Sequence, residues 1–306
     1  MSRYRSVALF LGLAALWGGS FPAIEVGLET FPPVFFAAAR YDIAGLLLLA
    51  YAAVTASHWR PRTRADLWVV LASGTFMIAG NSLLFVGQQS TTAGVASIIY
   101  SLIPILTTVA AWGLLPEERF TSVGLVGLAV GFAGVAAIAR PDPDNLLAAG
   151  VVGKGLVALA ALSVAVGSVL VRRSESTLPR APFTAWSMLV GAVLLHAGSL
   201  LTGESPLAGP TPPLALGVLA YLAVLATAVA FLIYFWLLAN FGPLETNLVS
   251  YVVPVVATAT GWLLLDEPVS AWTVGGFCLI LAGFLLLKRS ALRAEIRRFR
   301  SERPAD

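Results

Sequence analysis

The chain has 306 residues, of which 58% are hydrophobic and only 11% are charged, and its mean hydropathy is +0.87. Soluble domains carry roughly 25% charged residues, so a soluble fold of this composition would lack the polar surface to cover its core. The composition therefore excludes a soluble enzyme, a nucleic-acid-binding domain and a disordered chain. It predicts an all-α polytopic membrane protein.

Ten apolar runs follow one another along the chain, separated by polar or proline-containing breaks. At about 20 residues per bilayer crossing, each run is long enough to span a membrane as a helix that pairs its own backbone N–H and C=O groups. None alternates in polarity over about 10 residues, as barrel strands would. The predicted spans are 6–28, 33–57, 65–88, 91–114, 120–139, 151–172, 182–202, 213–238, 244–265 and 271–288.

Several signals of other protein classes are missing from the sequence. The first run has no small-residue cleavage site before its polar break, so it is predicted to be a span and not a cleaved signal peptide. The single cysteine, Cys278, excludes an intrachain disulfide, and His58 and His196 lie too far apart for a histidine metal site. No phosphate-binding G-x-x-x-x-G-K-[ST] motif occurs, so an ATP-driven pump is not expected without a partner subunit. No cofactor is expected. His196 is interpreted as a lone, hydrogen-bonded residue of the seventh span.

The basic residues predict the orientation, because Lys and Arg accumulate in cytoplasmic loops. With the N-terminus inside, most of the 19 Lys and Arg residues fall on the cytoplasmic side, Arg140 and Lys154 fall outside, and Arg40 lies within a span. Both termini are therefore predicted to be cytoplasmic, in a plasma (inner) membrane. The basic tail, 291–306, is interpreted as a contact with anionic lipid headgroups or as a protein-binding segment.

Two stretches about 150 residues apart resemble each other. The first begins ASIIYSLIPILTTVAAWGLLPEERF at Ala96, and the second begins TNLVSYVVPVVATATGWLLLDEPVSAW at Thr246. The matches are Pro104 with Pro254, Trp112 with Trp262, and, after a one-residue slip, Glu118, Gly127 and Gly134 with Glu267, Gly276 and Gly283. Chance similarity between apolar segments does not readily reproduce this order, so the pattern indicates an internal repeat.

Each half of the chain holds five spans, so the second copy enters the membrane from the opposite side. Such inverted-topology repeats are typical of secondary transporters, whose halves meet around a site near the bilayer midplane. The predicted organisation is a first repeat over 1–145, a second over 146–290 and the tail. Pro104 and Pro254 each remove one helical hydrogen bond, and they are interpreted either as hinges or as kinks that improve packing.

The chain resembles the EamA-type permeases of the drug/metabolite transporter superfamily over roughly residues 7–289. The resemblance depends on Trp17-Gly18-Gly19-Ser20-Phe21 in the first span, on Arg40 in the second, and on the two repeat blocks with their acidic loops. It implies a ten-span permease with a 5+5 inverted repeat that exports small metabolites such as amino acids. Pro116-Glu117-Glu118 stands where the family usually has one Gly-Glu, so the matching glutamate stays open.

Arg40 is the strongest candidate site residue. It lies roughly 10 Å into its span, and an ionised side chain at this depth must face the protein interior or a water-filled cavity. When Pro33 is aligned with Pro182, its counterpart in the second half is Leu189, so the charge is not a shared packing element. Its planar guanidinium suits a substrate carboxylate or phosphate. The alternative is a structural Arg that is paired with a carboxylate or bonded to carbonyl groups.

Two carboxylates within the spans are candidates for proton coupling. Asp42 lies about 200° around the helix from Arg40, so it is interpreted either as a proton carrier or as the partner of a polar group on another span. Glu25 lies near the outer end of the first span and is interpreted either as a coupling residue that pairs with Arg40 or as a carboxylate at the membrane interface.

Other polar and aromatic side chains are candidate lining groups of a central cavity, although such groups also bond helices together or form the interfacial belt. Glycines beside Trp17 would let the first helix unwind or approach a ligand closely. A stripe of Gly124, Gly127, Gly131 and Gly134 predicts a tight helix contact within the chain. The predicted substrate-binding candidates, besides Arg40, are Trp17, Ser20, Asn81, Gln88, Tyr100, Trp186, Tyr234, Asn247 and Tyr251.

The sequence therefore predicts a secondary transporter that works by alternating access and is not an enzyme. The expected partners are a small-molecule substrate, membrane lipid and a proton as coupling ion. An intramembrane enzyme acting on a lipid or small amphiphile is the alternative, but no set of acid, base and nucleophile stands at one depth. A channel or sensor is a third possibility. The substrate, the direction of flux and the oligomeric state stay open.

Overall fold

A computed structural model describes residues 3–114, 122–139, 149–205, 209–287 and 289 of the chain. The acidic loop with Pro116, Glu117 and Glu118, the boundary between the predicted repeats at 145, and the basic tail lie outside these residues. The described part is built from helices and contains no β-strand. This confirms an all-α polytopic membrane protein.

Ten apolar helices follow the ten predicted spans. Eight of them are long and apolar enough to cross a membrane, and the last two are shorter apolar helices. We number them α1 (Arg5–Leu28), α2 (Pro33–Thr55), α3 (Arg64–Gln88), α4 (Ala93–Leu114), α5 (Ser122–Ala139), α6 (Ala149–Arg172), α7 (Arg180–Leu201), α8 (Pro213–Phe241), α9 (Val249–Leu265) and α10 (Ala271–Leu287). The side at which α1 begins is called the proximal side, and the other is the distal side.

The helix ends follow the local sequence. Pro33 occupies the first turn of α2, where its missing N–H is not needed. The Thr92 hydroxyl accepts a hydrogen bond from the Val95 N–H and so starts α4 directly after the short break that ends α3. One predicted boundary is wrong. The helix of α8 continues through Gly242 and Pro243 to Asn247, because an unbroken helix keeps nearly every backbone group paired in lipid.

Four of the helices contain an irregular segment. α1 is interrupted at Gly19, and α4 at Ser101–Leu102. α3 contains a π-helical turn at Ser73–Ile78, and α8 contains one at Tyr221–Val229. π-helical turns widen the helix locally and often occur at functional sites. The two turns lie at corresponding places in the two halves of the sequence.

Helix packing joins the two halves of the chain. α2 packs along α7, and Gly45 admits the Leu189 side chain there. α5 packs along α10 through glycines: a Cβ on Gly127 would lie 2.6 Å from the Gly283 carbonyl oxygen. The glycine stripe therefore makes the predicted contact within the chain. α1 packs on α8 and α9, and α6 packs on α3 and α4.

Candidate substrate site

Arg40 projects from α2 into the contact with α8. Its side chain is buried, and its Nε–H donates a hydrogen bond of 2.8 Å to the hydroxyl oxygen of Thr227. The Thr227 hydroxyl in turn donates to the Leu222 carbonyl, 2.7 Å away and five residues earlier in the chain. Thr227 and Leu222 both lie in the π-helical turn of α8, and the carbonyl fixes the hydroxyl group that holds Arg40.

The rest of the guanidinium faces aromatic rings and not a carboxylate. Its central carbon lies 5.3 Å from the ring centroid of Tyr41 and 5.9 Å from that of Phe85. Among the described residues, no Asp or Glu forms an ion pair with Arg40, and its Nη groups donate no hydrogen bond. The guanidinium is therefore held by one edge, while the donors that could hold a carboxylate or phosphate in a bidentate way have no protein partner in this part of the chain.

A chain of hydrogen bonds extends the site from α2 to α4. The Asn81 amide donates to the Tyr41 hydroxyl over 2.7 Å, and the Tyr100 hydroxyl donates to the Asn81 carbonyl oxygen over 2.7 Å. Asn81 is buried at the end of the irregular segment of α3. Because both sides of its amide are satisfied, the chain fixes three helices around the guanidinium.

Aromatic side chains of α1 and α8 adjoin this network. Trp17 contacts the rings of Phe231 and Tyr234, with centroids 5.9 and 5.5 Å apart. The Tyr221 hydroxyl donates to the Leu16 carbonyl. A Cβ on Gly19 would lie only 2.7 Å from the Tyr221 hydroxyl oxygen. The glycine at this interruption of α1 thus allows the close approach of α8.

Glu25 lies at the distal end of α1, away from Arg40. Its carboxylate accepts the Ala93 N–H over 3.1 Å, and the same N–H donates to Glu267 over 2.6 Å. Glu267 also accepts from Gly94, and it fits against α9 because Gly261 has no side chain. The suggested pairing of Glu25 with Arg40 is therefore wrong, because the N-terminus of α4 offers Glu25 a nearer donor.

Asp42 contacts His196, a residue for which the sequence indicated no partner. Its carboxylate lies 2.6 Å from Nε2 of His196 on α7. Asp42 is therefore the partner of a polar group on another span, and His196 is hydrogen-bonded, as predicted from the sequence. The two lie on helices that pack side by side, and their separation of 154 residues in sequence hides this contact from local pattern analysis.

Several other predicted site residues make contacts that do not involve Arg40. Trp186 stacks on Trp59 and donates its Nε1–H to the Trp59 carbonyl in the loop before α3. Tyr251 packs on Phe284 with ring centroids 4.4 Å apart, and Tyr234 donates to Asn247 over 3.2 Å. Trp186 therefore joins α7 to a loop, Tyr251 joins α9 to α10, and Tyr234 bonds within the helix that extends α8.

The remaining predicted site residues are two polar residues that hydrogen-bond to α1 and the two prolines. Ser20 donates to the carbonyl of Trp17, and the Gln88 amide donates to the carbonyl of Phe21. Pro104 follows the interruption of α4 by two residues, whereas α9 runs without a break through Pro254. The two prolines therefore occupy unlike local structures.

The comparisons with known proteins agree with this architecture. A model of the EamA-like transporter family matches residues 5–140 and 152–289. The chain belongs to the EamA-like transporter family. Within the drug/metabolite transporter superfamily, it is 31% identical over 265 residues to the uncharacterized inner membrane transporter YedA of Escherichia coli (strain K12), covering 86% of this chain and 83% of that protein. It is 26% identical over 292 residues to the uncharacterized transporter YvbV of Bacillus subtilis (strain 168), covering 94% and 92% of the two chains.

A solved structure, described only as that of a protein, has a similar fold. It matches with a TM-score of 0.63 and 23% identity, covering 95% of this chain and 99% of its own. At this identity the match shows the fold alone. Membership of the family makes this EamA-like protein a multi-pass membrane transporter, as predicted, and a transporter acts on a small-molecule substrate within a lipid environment.

Proposed function

We propose that this EamA-like protein is a secondary transporter that exports small metabolites such as amino acids by alternating access. The observation that carries the proposal is the position of Arg40, buried between α2 and α8 with one edge bonded to Thr227 and its Nη donors without a described partner. The substrate carboxylate or phosphate would bind these donors, and the Tyr41–Asn81–Tyr100 chain would flank it.

We further propose that the two halves form an inverted repeat around this site. The family model matches each half separately, and the π-helical turns of α3 and α8 occupy corresponding places. In such a repeat α1 corresponds to α6, and α3 and α4 correspond to α8 and α9. The packing agrees with this, because α1 contacts α8 and α9 while α6 contacts α3 and α4. The proposed orientation places the proximal side in the cytoplasm, and the name of the E. coli relative supports an inner membrane.

Transport into liposomes tests the proposal. The purified protein is reconstituted, and exchange of 14C-labelled amino acids and small organic acids is measured one compound at a time. We expect at least one carboxylate-bearing compound to exchange, and Arg40→Lys to lower its rate at least tenfold because Lys loses the planar fork of donors. Arg60→Lys, at an exposed loop residue over Trp59, is the matched control and should exchange normally.

Two outcomes would contradict the proposal. If no compound exchanges faster than in protein-free liposomes, the proposed transport of such metabolites is contradicted. Wild-type exchange by the Arg40→Lys protein would leave transport intact but remove Arg40 from substrate binding. Accumulation only when the compound starts on the proximal side would support export, whereas accumulation from the distal side would favour uptake.

A further inference from the structure

Asp42 and His196 form a polar contact between the halves of the chain that substrate binding does not use. Oδ2 of Asp42 and Nε2 of His196 are 2.6 Å apart, a separation typical of charge-assisted hydrogen bonds. The side chain of Asp42 is 38% exposed and that of His196 is 40% exposed, so the pair lies at the rim of the α2–α7 contact and not in its core. Asp42 lies about 14 Å along α2 from Pro33, well inside the membrane.

The surroundings of the pair are apolar. Ile43, Leu46 and Val193 are exposed on the same side of α2 and α7, and the Phe35 ring packs edge-on against the imidazole at 5.9 Å. Water is therefore scarce around the two side chains while this face is covered by lipid. A net charge costs more free energy here than a pair of opposite charges in contact.

The contact joins a group that can accept a proton to a carboxylate. With a neutral imidazole and an ionised carboxylate, the pair carries one net negative charge; uptake of one proton makes it neutral overall. Among side chains, the imidazole is the one whose ordinary charge change falls between pH 5 and 8. The protonated pair therefore suits the apolar environment, because it carries no net charge.

Other titratable or charged groups near α2 and α7 have contacts of their own. Arg40 donates to Thr227, Tyr41 accepts from Asn81, and Tyr221 donates to Leu16. The carboxylates of Glu25, Asp66 and Glu204 accept backbone N–H groups at helix starts or loops. The remaining such groups on the packed helices include Arg5, Tyr51, Arg64, Arg180 and Tyr234. Among the described residues, none of them forms an ion pair with Asp42 or His196.

The pair is placed to affect the substrate site. Asp42 and Arg40 are two residues apart on α2 and face different directions, and each bonds to the second half of the chain, at His196 and at Thr227. Both bonds therefore join α2 to the second half of the chain. We propose that Asp42 and His196 together form the proton-binding site that couples transport to a proton gradient. The coupling role rests on the proposed transport function; the transfer itself makes and breaks only N–H or O–H bonds.

Proton binding can be measured without substrate. The protein is labelled with 15N-histidine in lipid nanodiscs, and its two imidazoles are followed by NMR from pH 5 to 9, with His196→Gln identifying the resonances. We expect the His196 ring to change reversibly between one and two N–H groups in this range, and Asp42→Asn to move the midpoint by at least one pH unit. A His196 ring in a single protonation state throughout would overturn the proposal.

Coupling is measured with a mixture of 14C-labelled amino acids in liposomes. Asp42→Asn, His196→Gln and the double variant should exchange the mixture within about twofold of wild type, but lose at least tenfold of the accumulation driven by a pH gradient. Because the residues act as one site, the double variant should be no worse than either single variant. Glu204→Gln, which changes another carboxylate that joins the second half to α2, should keep gradient-driven accumulation.

The outcomes separate the two proposals. Wild-type accumulation by Asp42→Asn or His196→Gln would overturn the coupling role and leave transport intact. A wild-type protein that exchanges none of the amino acids would contradict the proposed function and the coupling role with it. The NMR measurement would still decide whether the pair binds a proton.

Discussion

Arg40 and Thr227 are 187 residues apart in sequence, yet the Nε of one lies 2.8 Å from the hydroxyl oxygen of the other. The bond joins the two halves of the chain at a π-helical turn, and the threonine hydroxyl is fixed from behind by the Leu222 carbonyl. Thr227 therefore orients the guanidinium without occupying its Nη donors. We therefore expect Thr227 to affect the affinity for the proposed anionic substrate more than it affects the fold.

We expect Thr227→Val to raise the KM of the exchanged compound about tenfold, since it removes one hydrogen bond to a charged group, worth roughly 1.5–3 kcal/mol. Valine has nearly the same shape, so packing is preserved. Thr227→Ser keeps the hydroxyl and should restore the wild-type KM. Exchange kinetics of the three proteins in liposomes measure the effect. Equal KM values for the Thr227→Val variant and the wild-type protein would contradict the orienting role of Thr227.

The glycine contact between α5 and α10 gives a prediction for stability. A Cβ on Gly276 would lie 2.7 Å from the Gly134 carbonyl oxygen, whereas a Cβ on the neighbouring Gly275 would meet nothing within 4 Å. Gly276→Ala should therefore destabilise the protein by about 1–3 kcal/mol through overpacking. Gly275→Ala is the matched control and should leave the melting temperature in detergent unchanged. Equal melting temperatures for the two variants would contradict the contact.

Hydropathy and span length were sufficient to predict the ten helices, because a span in lipid must be a long apolar helix whatever it packs against. The position of the α3–α4 break followed from Gln89 to Thr92, which are polar or small. The site was predictable only in part. Arg40 stood out because a charge in a span is costly, and Asn81 and Tyr100 were candidates as polar groups.

Other parts of the site depend on contacts between helices that are distant in sequence. Thr227 lies in a run of small apolar residues and carries no local signal, and the π-helical turn that positions it has no sequence signature of its own. The same holds for His196 with Asp42 and for Glu267 with Glu25. Pairing within the membrane is decided by how the helices pack, so a single sequence yields the candidates and not their partners.

The orientation of the protein gives a third prediction. Single cysteines are placed at Arg62, in the loop before α3, and at Glu204, in the loop after α7, in a Cys278→Ala background. Because most basic residues lie on the proximal side, we expect a membrane-impermeant maleimide added to intact cells to label position 204 and not position 62. Labelling of position 62 from outside, with none at 204, would reverse the proposed topology.

Glu25 and Glu267 both contact the start of α4 on the distal side, and we expect their substitution to have different effects on this contact. Glu267 comes from the loop after α9 in the second half of the chain and accepts the N–H groups of Ala93 and Gly94, which start α4 in the first half. It is buried, and its contact closes the distal ends of α4 and α9 against each other. Glu25 bonds to the same Ala93 N–H, so the two carboxyl groups repel each other when both are ionised.

Glu267→Gln should weaken the contact between the distal ends of α4 and α9, because it removes a charge from the N-terminus of α4, whereas Glu25→Gln should preserve or strengthen this contact. The readout is the rate at which a membrane-impermeant methanethiosulfonate reagent modifies Ser97→Cys, a buried position one turn into α4, in a Cys278→Ala background. We expect at least a tenfold faster rate with Glu267→Gln and no increase with Glu25→Gln. An equal increase for both variants would indicate general loosening of the bundle, and no change for Glu267→Gln would show that this contact does not hold the distal side closed.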